Sequence, residues 1–235
     1  MKDYKFLWLG LSVVVAAIVL GTCFVSAIKT GKSFERTVTV KGLCEKEIKA
    51  DRVIWPVSYV IGGDDLPSLN QNVKANNEAV ISYLKQNGIK DDEISISAPS
   101  ITDNRATSYS NDAPYHYLIT SVITVCTSNV DLVIDLESRQ SELVEKGIPV
   151  GTGNAWDHQT EYSFNGLNDI KPAMIEEATV NAREAAEKFA KDSNSKLGKI
   201  RQASQGQFSI SDRDINTPYI KNVRVVTNVV YYLND

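Results

Sequence analysis

The chain has 235 residues, 43% of them hydrophobic and 23% charged, and carries a net charge of −4. A hydrophobic share of that size supports a buried core and excludes wholesale disorder. Acids and bases are interspersed with no Lys/Arg cluster outside mixed helix faces, which argues against a nucleic-acid partner.

The N-terminus is an anchor or a signal. Lys2 and Lys5 precede an uncharged run from Phe6 to Ile28, which Lys29 and Lys32 close. As a helix the run is about 35 Å long at about 1.5 Å per residue, enough for a bilayer core of about 30 Å. Every face is apolar and no segment of like character follows, so a buried core helix is not expected. Three fates stand side by side for residues 1–35: retention as a transmembrane anchor, cleavage after Val25-Ser26-Ala27, or lipidation at Cys23. The run is longer than the usual signal-peptide core, which favours retention, and Thr22 before Cys23 is a poor match to a lipoprotein box. Each fate exports residues 36–235. The expected location is a cell membrane crossed once, with the remainder periplasmic or extracellular, or the periplasm or medium after cleavage. Charge asymmetry adds little, because Lys29, Lys32 and Arg36 follow the run.

The exported part opens with a half-buried strand from Thr37 to Cys44, then a second with Val53, Trp55, Val57, Tyr59 and Ile61 on one face. Pro56 inside that run predicts a bulge or an edge. Asp64 or Asp65 caps a helix with Leu66, Leu69, Val73, Val80 and Leu84 inward, ending at Asn87-Gly88. A strand begins at Ile94, and the Ser/Thr/Asn/Asp-rich stretch from Pro99 to Pro114 reads as the tip of a long hairpin that returns along Tyr117–Thr127. Asn129 or Asp131 opens a second helix through Val133, Leu136 and Leu143 that stops near Gly147. A strand from about Gly153 to Phe164 leads to the helix that organises the chain, expected over Asn168–Ile200. Its stripe is Ile170, Met174, Ala178, Ala182, Ala185 and Phe189, rich enough in alanine for a sheet to approach closely. Asn168 is its expected N-cap, and Pro172 falls in its first turn. Strands at Ile200–Ile210 and Val223–Leu233 finish the chain. The pattern predicts an α+β, two-layer fold with antiparallel sheets covered by three helices, preceded by the N-terminal helix.

Several strings, in order, resemble the SIMPL-domain family (DUF541). They are Thr37-Val38-Thr39-Val40-Lys41-Gly42 with Ile48-Lys49-Ala50-Asp51, then Asn76-Asn77, Gly88-Ile89 and Asp92-Glu93-Ile94. The most telling are Ala182-Arg183-Glu184-Ala185-Ala186-Glu187 and Lys196-Leu197-Gly198-Lys199-Ile200. The resemblance spans roughly residues 36 to 233. Cys44 departs from it, standing where glycine is expected, and so does the tip from Thr102 to Pro114. The family implies an exported envelope protein, a link to envelope or oxidative stress and an oligomeric habit, with no established catalytic residues.

Chemistry-bearing residues are few. Cys44 and Cys126 lie in predicted strands of an exported domain, where a disulfide can persist; the competing reading is two small buried hydrophobes. Tyr109, Tyr115 and Tyr117 form an aromatic contact surface at the hairpin tip or pack on their own strands. His116 and His158 lack HxxxH or CxxC spacing, so no metal is expected. Asp157, His158 and Glu161 have no paired nucleophile. Asp212 and Asp214 read as a solvated turn before a cation site, and Gly151-Thr152-Gly153 lacks phosphate-loop spacing. No catalytic, metal or cofactor residue is assigned. The expected function is a non-enzymatic, membrane-anchored interaction module, held in the membrane by residues 6–28 and homo-oligomeric. The alternatives are an exported hydrolase or metal-dependent enzyme, and a ligand- or polypeptide-binding module using the 99–117 tip. Self-association is expected through the Val223–Leu233 strand if it lies at a sheet edge, and otherwise through the Ser95–Thr127 hairpin.

Overall fold

The computed structural model describes residues 3–33, 36–107, 114–151 and 158–234, with side chains left aside at 3–7 and 29–33. In chain order the elements are α1 (Asp3–Ser33), β1 (Thr37–Lys49), β2 (Arg52–Gly63), α2 (Leu66–Gln86), β3 (Ile94–Ile96), β4 (Ser100–Asp103), α3 (Asn104–Thr107) and β5 (Tyr117–Thr127). There follow α4 (Val130–Ser138), α5 (Ser141–Glu145), β6 (Glu161–Ser163), α6 (Leu167–Asp192), β7 (Lys196–Gln205), β8 (Ser209–Asp212) and β9 (Ile220–Asn234). The class is α+β with two sheets. Among the described residues five α-helices follow α1 where three helices were expected, because α3 is an extra turn and the second expected helix breaks at Arg139-Gln140 into α4 and α5. The chain divides into two compact units, passing between them after Lys46, Asn168, Ser209 and Asn222.

In the first unit the strand order is β1-β9-β7. The last strand is therefore central, not at an edge. The Leu233 N–H donates to the Arg36 carbonyl at 2.9 Å, and Arg224 meets Glu45 at 3.0 Å, so β1 and β9 run antiparallel. α6 covers this sheet with Met174, Ala178, Ala182, Ala186 and Ala190, all buried, and packs on Val40, Val229 and Tyr231. The contact is backbone to backbone. A Cβ built on Gly42 would lie 1.7 Å from the Ala178 carbonyl oxygen and 2.6 Å from the Ala182 nitrogen. The stripe thus advances by fours: Ala185 is only half-buried and Phe189 is exposed, unlike the expected track. Asn168 lies inside the first turn rather than capping it. The helix stops at Asn194, whose φ of 52° closes it with bonds from Asn194 N–H to the Lys191 carbonyl and from Ser195 N–H to the Ala190 carbonyl. Lys196–Ile200 is consequently strand, not helix exit. The expected strand at 200–210 is also two strands, β7 and β8, parted where the Gly206 N–H reaches the Val226 carbonyl. β7 is an exposed edge, bulged near Ile200 and carrying Lys196, Lys199 and Arg201, devices that discourage further pairing.

In the second unit the order is β3-β5-β2-β6, with β4 also on β5. The β2–β5 register runs unbroken from Val53↔Thr127 to Gly63↔Tyr117, so Pro56 makes no bulge. It lies between the β6 pairing at Arg52–Ile54 and the bridge Tyr59↔Val150, on the open side of β2, which is the edge reading. Val53, Trp55, Val57 and Tyr59 meet Val80 and Leu84 of α2 and Leu136 and Leu143 of α4–α5 in one core. Asp65 caps α2 by accepting from the Ser68 N–H at 3.0 Å. Gly88 (φ 98°) and Gly147 (φ 83°) end α2 and α5 with the same pair of closing bonds that ends α6. The strand expected over 153–164 is described only as β6; residues 152–157 lie outside the described residues.

Candidate functional site

The hairpin is built as the sequence implies, from β3 and β4 against β5. Tyr109 lies outside the described residues. Tyr115 is 47% exposed and lies over Gly62. Tyr117 packs instead on Leu69, Val73 and Ile119, and stacks on His116 with ring centres 3.9 Å apart. The His116 Nε2 is 3.1 Å from Asp103, and its backbone N–H donates to Asp64 at 3.0 Å, so this histidine ties the strands together where the tip begins. The outer side of the hairpin is different. Ile96 and Ile101 are 54% and 53% exposed along β3–β4, which carries no charge before Asp103.

Cys44 is buried in β1 and Cys126 half-buried in β5; both are free thiols. Burial, reinforced by the Glu177 carboxylate, pushes the Cys44 thiol up from its ordinary value. Lys46 holds Glu177 there at 3.4 Å. The Cys126 sulfur accepts from Arg52 at 3.1 Å. Cys23 is exposed on α1.

The acids and histidines do not converge. Asp157 is outside the described residues, and His158 lines a hollow of about 220 Å³ with Trp55, Ser58, Glu137, Gln140 and Thr160. The organising group there is Glu137, which accepts from the hydroxyls of Thr160 and, at 2.7 Å, Tyr162. Burial and the neighbouring Glu137 carboxylate push the Tyr162 phenol up. Glu161 lines a separate hollow of about 530 Å³ with Asp212 and Lys221. Lys221, only 6% exposed, pairs with Asp212. Sequence reasoning missed both Glu137 and Lys221, since a lone Glu on a helix and a lone Lys in a strand carry no pattern. Asp214 does not join Asp212. Its carboxylate accepts from the backbone N–H groups of Asn216 and Thr217, both at 2.9 Å, and from Arg213 at 3.0 Å. Hydrogen bonds from the Thr217 hydroxyl and Arg213 hold its pKa at about 2. Among the described residues no three His, Cys, Asp or Glu side chains are grouped to hold a metal. The hydroxyls near Glu137 are spent as donors to it, so the arrangement braces α4 against the stretch before and within β6.

Of the helices described, α1 alone is long and apolar enough to cross a membrane, over Trp8–Ile28, and none of that span is buried. A family model for SIMPL, described as a protein of unknown function (DUF541), matches residues 38–228. No curated protein matches the chain.

Proposed function

The chain belongs to the SIMPL family, and from that premise we propose that it is a non-enzymatic module of the cell envelope, held in a membrane by α1, whose exported residues 36–235 associate with copies of themselves. The observation that carries the reading is α1: from Trp8 to Ile28 it is apolar on every side, and none of that span is buried among the described residues. A bilayer relieves that exposure at roughly −0.3 to −0.6 kcal/mol for each Leu, Ile, Val or Phe at the centre of the span. Self-association draws support from the contrast between sheet edges, since β7 is bulged and cationic while the β3–β4 edge is uncharged up to Asp103 and shows Ile96 and Ile101. Confinement to a membrane also raises the local concentration of subunits. Two measurements test the reading. The full-length chain should stay in the membrane pellet through alkaline carbonate washing; a soluble product beginning at Ile28 would show cleavage instead. Light scattering of the intact protein in detergent should give a mass above that of one chain at micromolar concentration, and a monomer throughout would remove the association.

A further inference from the structure

The hollow of about 530 Å³ in the second unit is built around a buried lysine. Asp212 ends β8 and Lys221 is the second residue of β9; the bond from the Arg213 N–H to the Ile220 carbonyl at 2.9 Å sets the two opposite each other across the hairpin. Lys221 is only 6% exposed, so its ammonium has little access to bulk solvent. An ammonium carries three N–H donors, and Asp212 is the one acceptor that meets Lys221 among the described residues. The remaining donors need acceptors inside the hollow that Lys221 lines, because a buried donor left unmet is costly. Glu161, exposed at the start of β6, lines the same hollow with no hydrogen-bond or ion-pair partner among the described residues.

Folding has already set the walls. Asp214 accepts from the N–H groups of Asn216 and Thr217, both at 2.9 Å, and from Arg213 at 3.0 Å, which fixes the turn that joins Asp212 to Pro218. Tyr162 is held by its bond to Glu137 at 2.7 Å and by Tyr219, whose ring stands edge-on with centres 6.0 Å apart. A wall ordered in advance lowers the cost of binding, and the volume lies within the range of about 300–1,000 Å³ common for ligand pockets.

The charges decide the class of ligand. Lys221 and Asp212 neutralise each other, and Glu161 adds one carboxylate. An anion would meet two carboxylates, and a cation would lie against a buried ammonium, so neither ion is favoured. What remains is hydrogen-bonding capacity of both kinds: donors on Lys221, and acceptors on Glu161 and on the Asp212 Oδ2 that Lys221 does not use. A hydroxyl both donates and accepts, and a sugar ring sets several side by side. Tyr162 and Pro218 supply apolar wall for its C–H faces. We propose that this hollow binds a neutral saccharide, one hydroxyl accepting from Lys221 while its neighbours donate to Glu161 and Asp212. The site lies within one copy of the chain, so it stands or falls separately from self-association.

Saturation-transfer NMR on the full-length chain tests this, in an amine-oxide detergent so that the micelle itself carries no sugar. The probes are glucose, N-acetylglucosamine, maltose and chitobiose, each at about 10 mM, enough to register a Kd of about 1 mM. The wild type should transfer saturation to the ring protons of at least one, and neither inorganic phosphate nor putrescine should displace it. Glu161→Ala removes an exposed side chain without a partner, so it should melt like the wild type and bind at least about tenfold more weakly. Lys221→Met keeps the buried stem without its ammonium and should weaken binding as much; if it fails to fold, Asp212→Asn replaces it. Transfer to none of the four saccharides, transfer that Glu161→Ala leaves unchanged, or displacement by phosphate or putrescine would overturn the proposal.

Discussion

Gly42 is where a single hydrogen decides the packing. Its missing Cβ is the space through which α6 reaches β1, and the atoms in the way are helix backbone that cannot swing aside. Overpacking a core costs about 1–3 kcal/mol where side chains can adjust. Gly42→Ala should therefore lose more than about 3 kcal/mol in urea unfolding, or fail to fold. Asp214 makes a milder prediction in pH. Its folded pKa, about 2, lies below the ordinary carboxylate value of about 3.9, so its bonds stabilise the tip above pH about 4 and are lost as pH falls through about 2. The backbone N–H resonances of Asn216 and Thr217 should shift with a midpoint near 2. A midpoint near 4 would mean that those bonds do not persist in solution.

At the scale of elements, α6 shows what a sequence pattern can and cannot specify. Ala182 is fully buried and Glu184 exposed, so Ala182→Asp should cost about 3 kcal/mol or more, and Glu184→Gln under about 0.5 kcal/mol. Equal melting temperatures would mean that the wrong face has been assigned to the sheet. The inward track was legible to Ala182 and then slipped, because alanine occupies both 185 and 186 and hydrophobicity alone does not separate the tracks. The structure does, by seating Ala186 with Ala182 against Val40, Val229 and Tyr231. The ends of helices tell a similar story. Gly88 and Gly147 advertise the left-handed residue that closes α2 and α5, whereas Asn194 does the same for α6 inside an Asp-Ser-Asn-Ser run that reads as ordinary polar surface. β2 and β5 were legible nearly to the residue, since both alternate cleanly and end at glycine or a capping residue. The polar pairs were not. Glu137 and Lys221 acquire partners only through tertiary pairing.

For the molecule as a whole, the decisive feature is the place of β9. It is the last of the described strands, yet it lies between β1, among the first, and β7. β2 and β5 can pair, and α2 can cap itself, while later residues are still to come. The other sheet has no such early stage, for β1 and β7 have no strand to bond to each other through until β9 arrives. Until residues 220–234 are in place, β1 and β7 are therefore both open edges. A variant truncated before Ile220 should keep two unpaired strands and an uncovered alanine face on α6, and should be cut by added protease faster than the intact chain. The central strand thus works as a keystone, holding two strands that without it have nothing to bond to each other through.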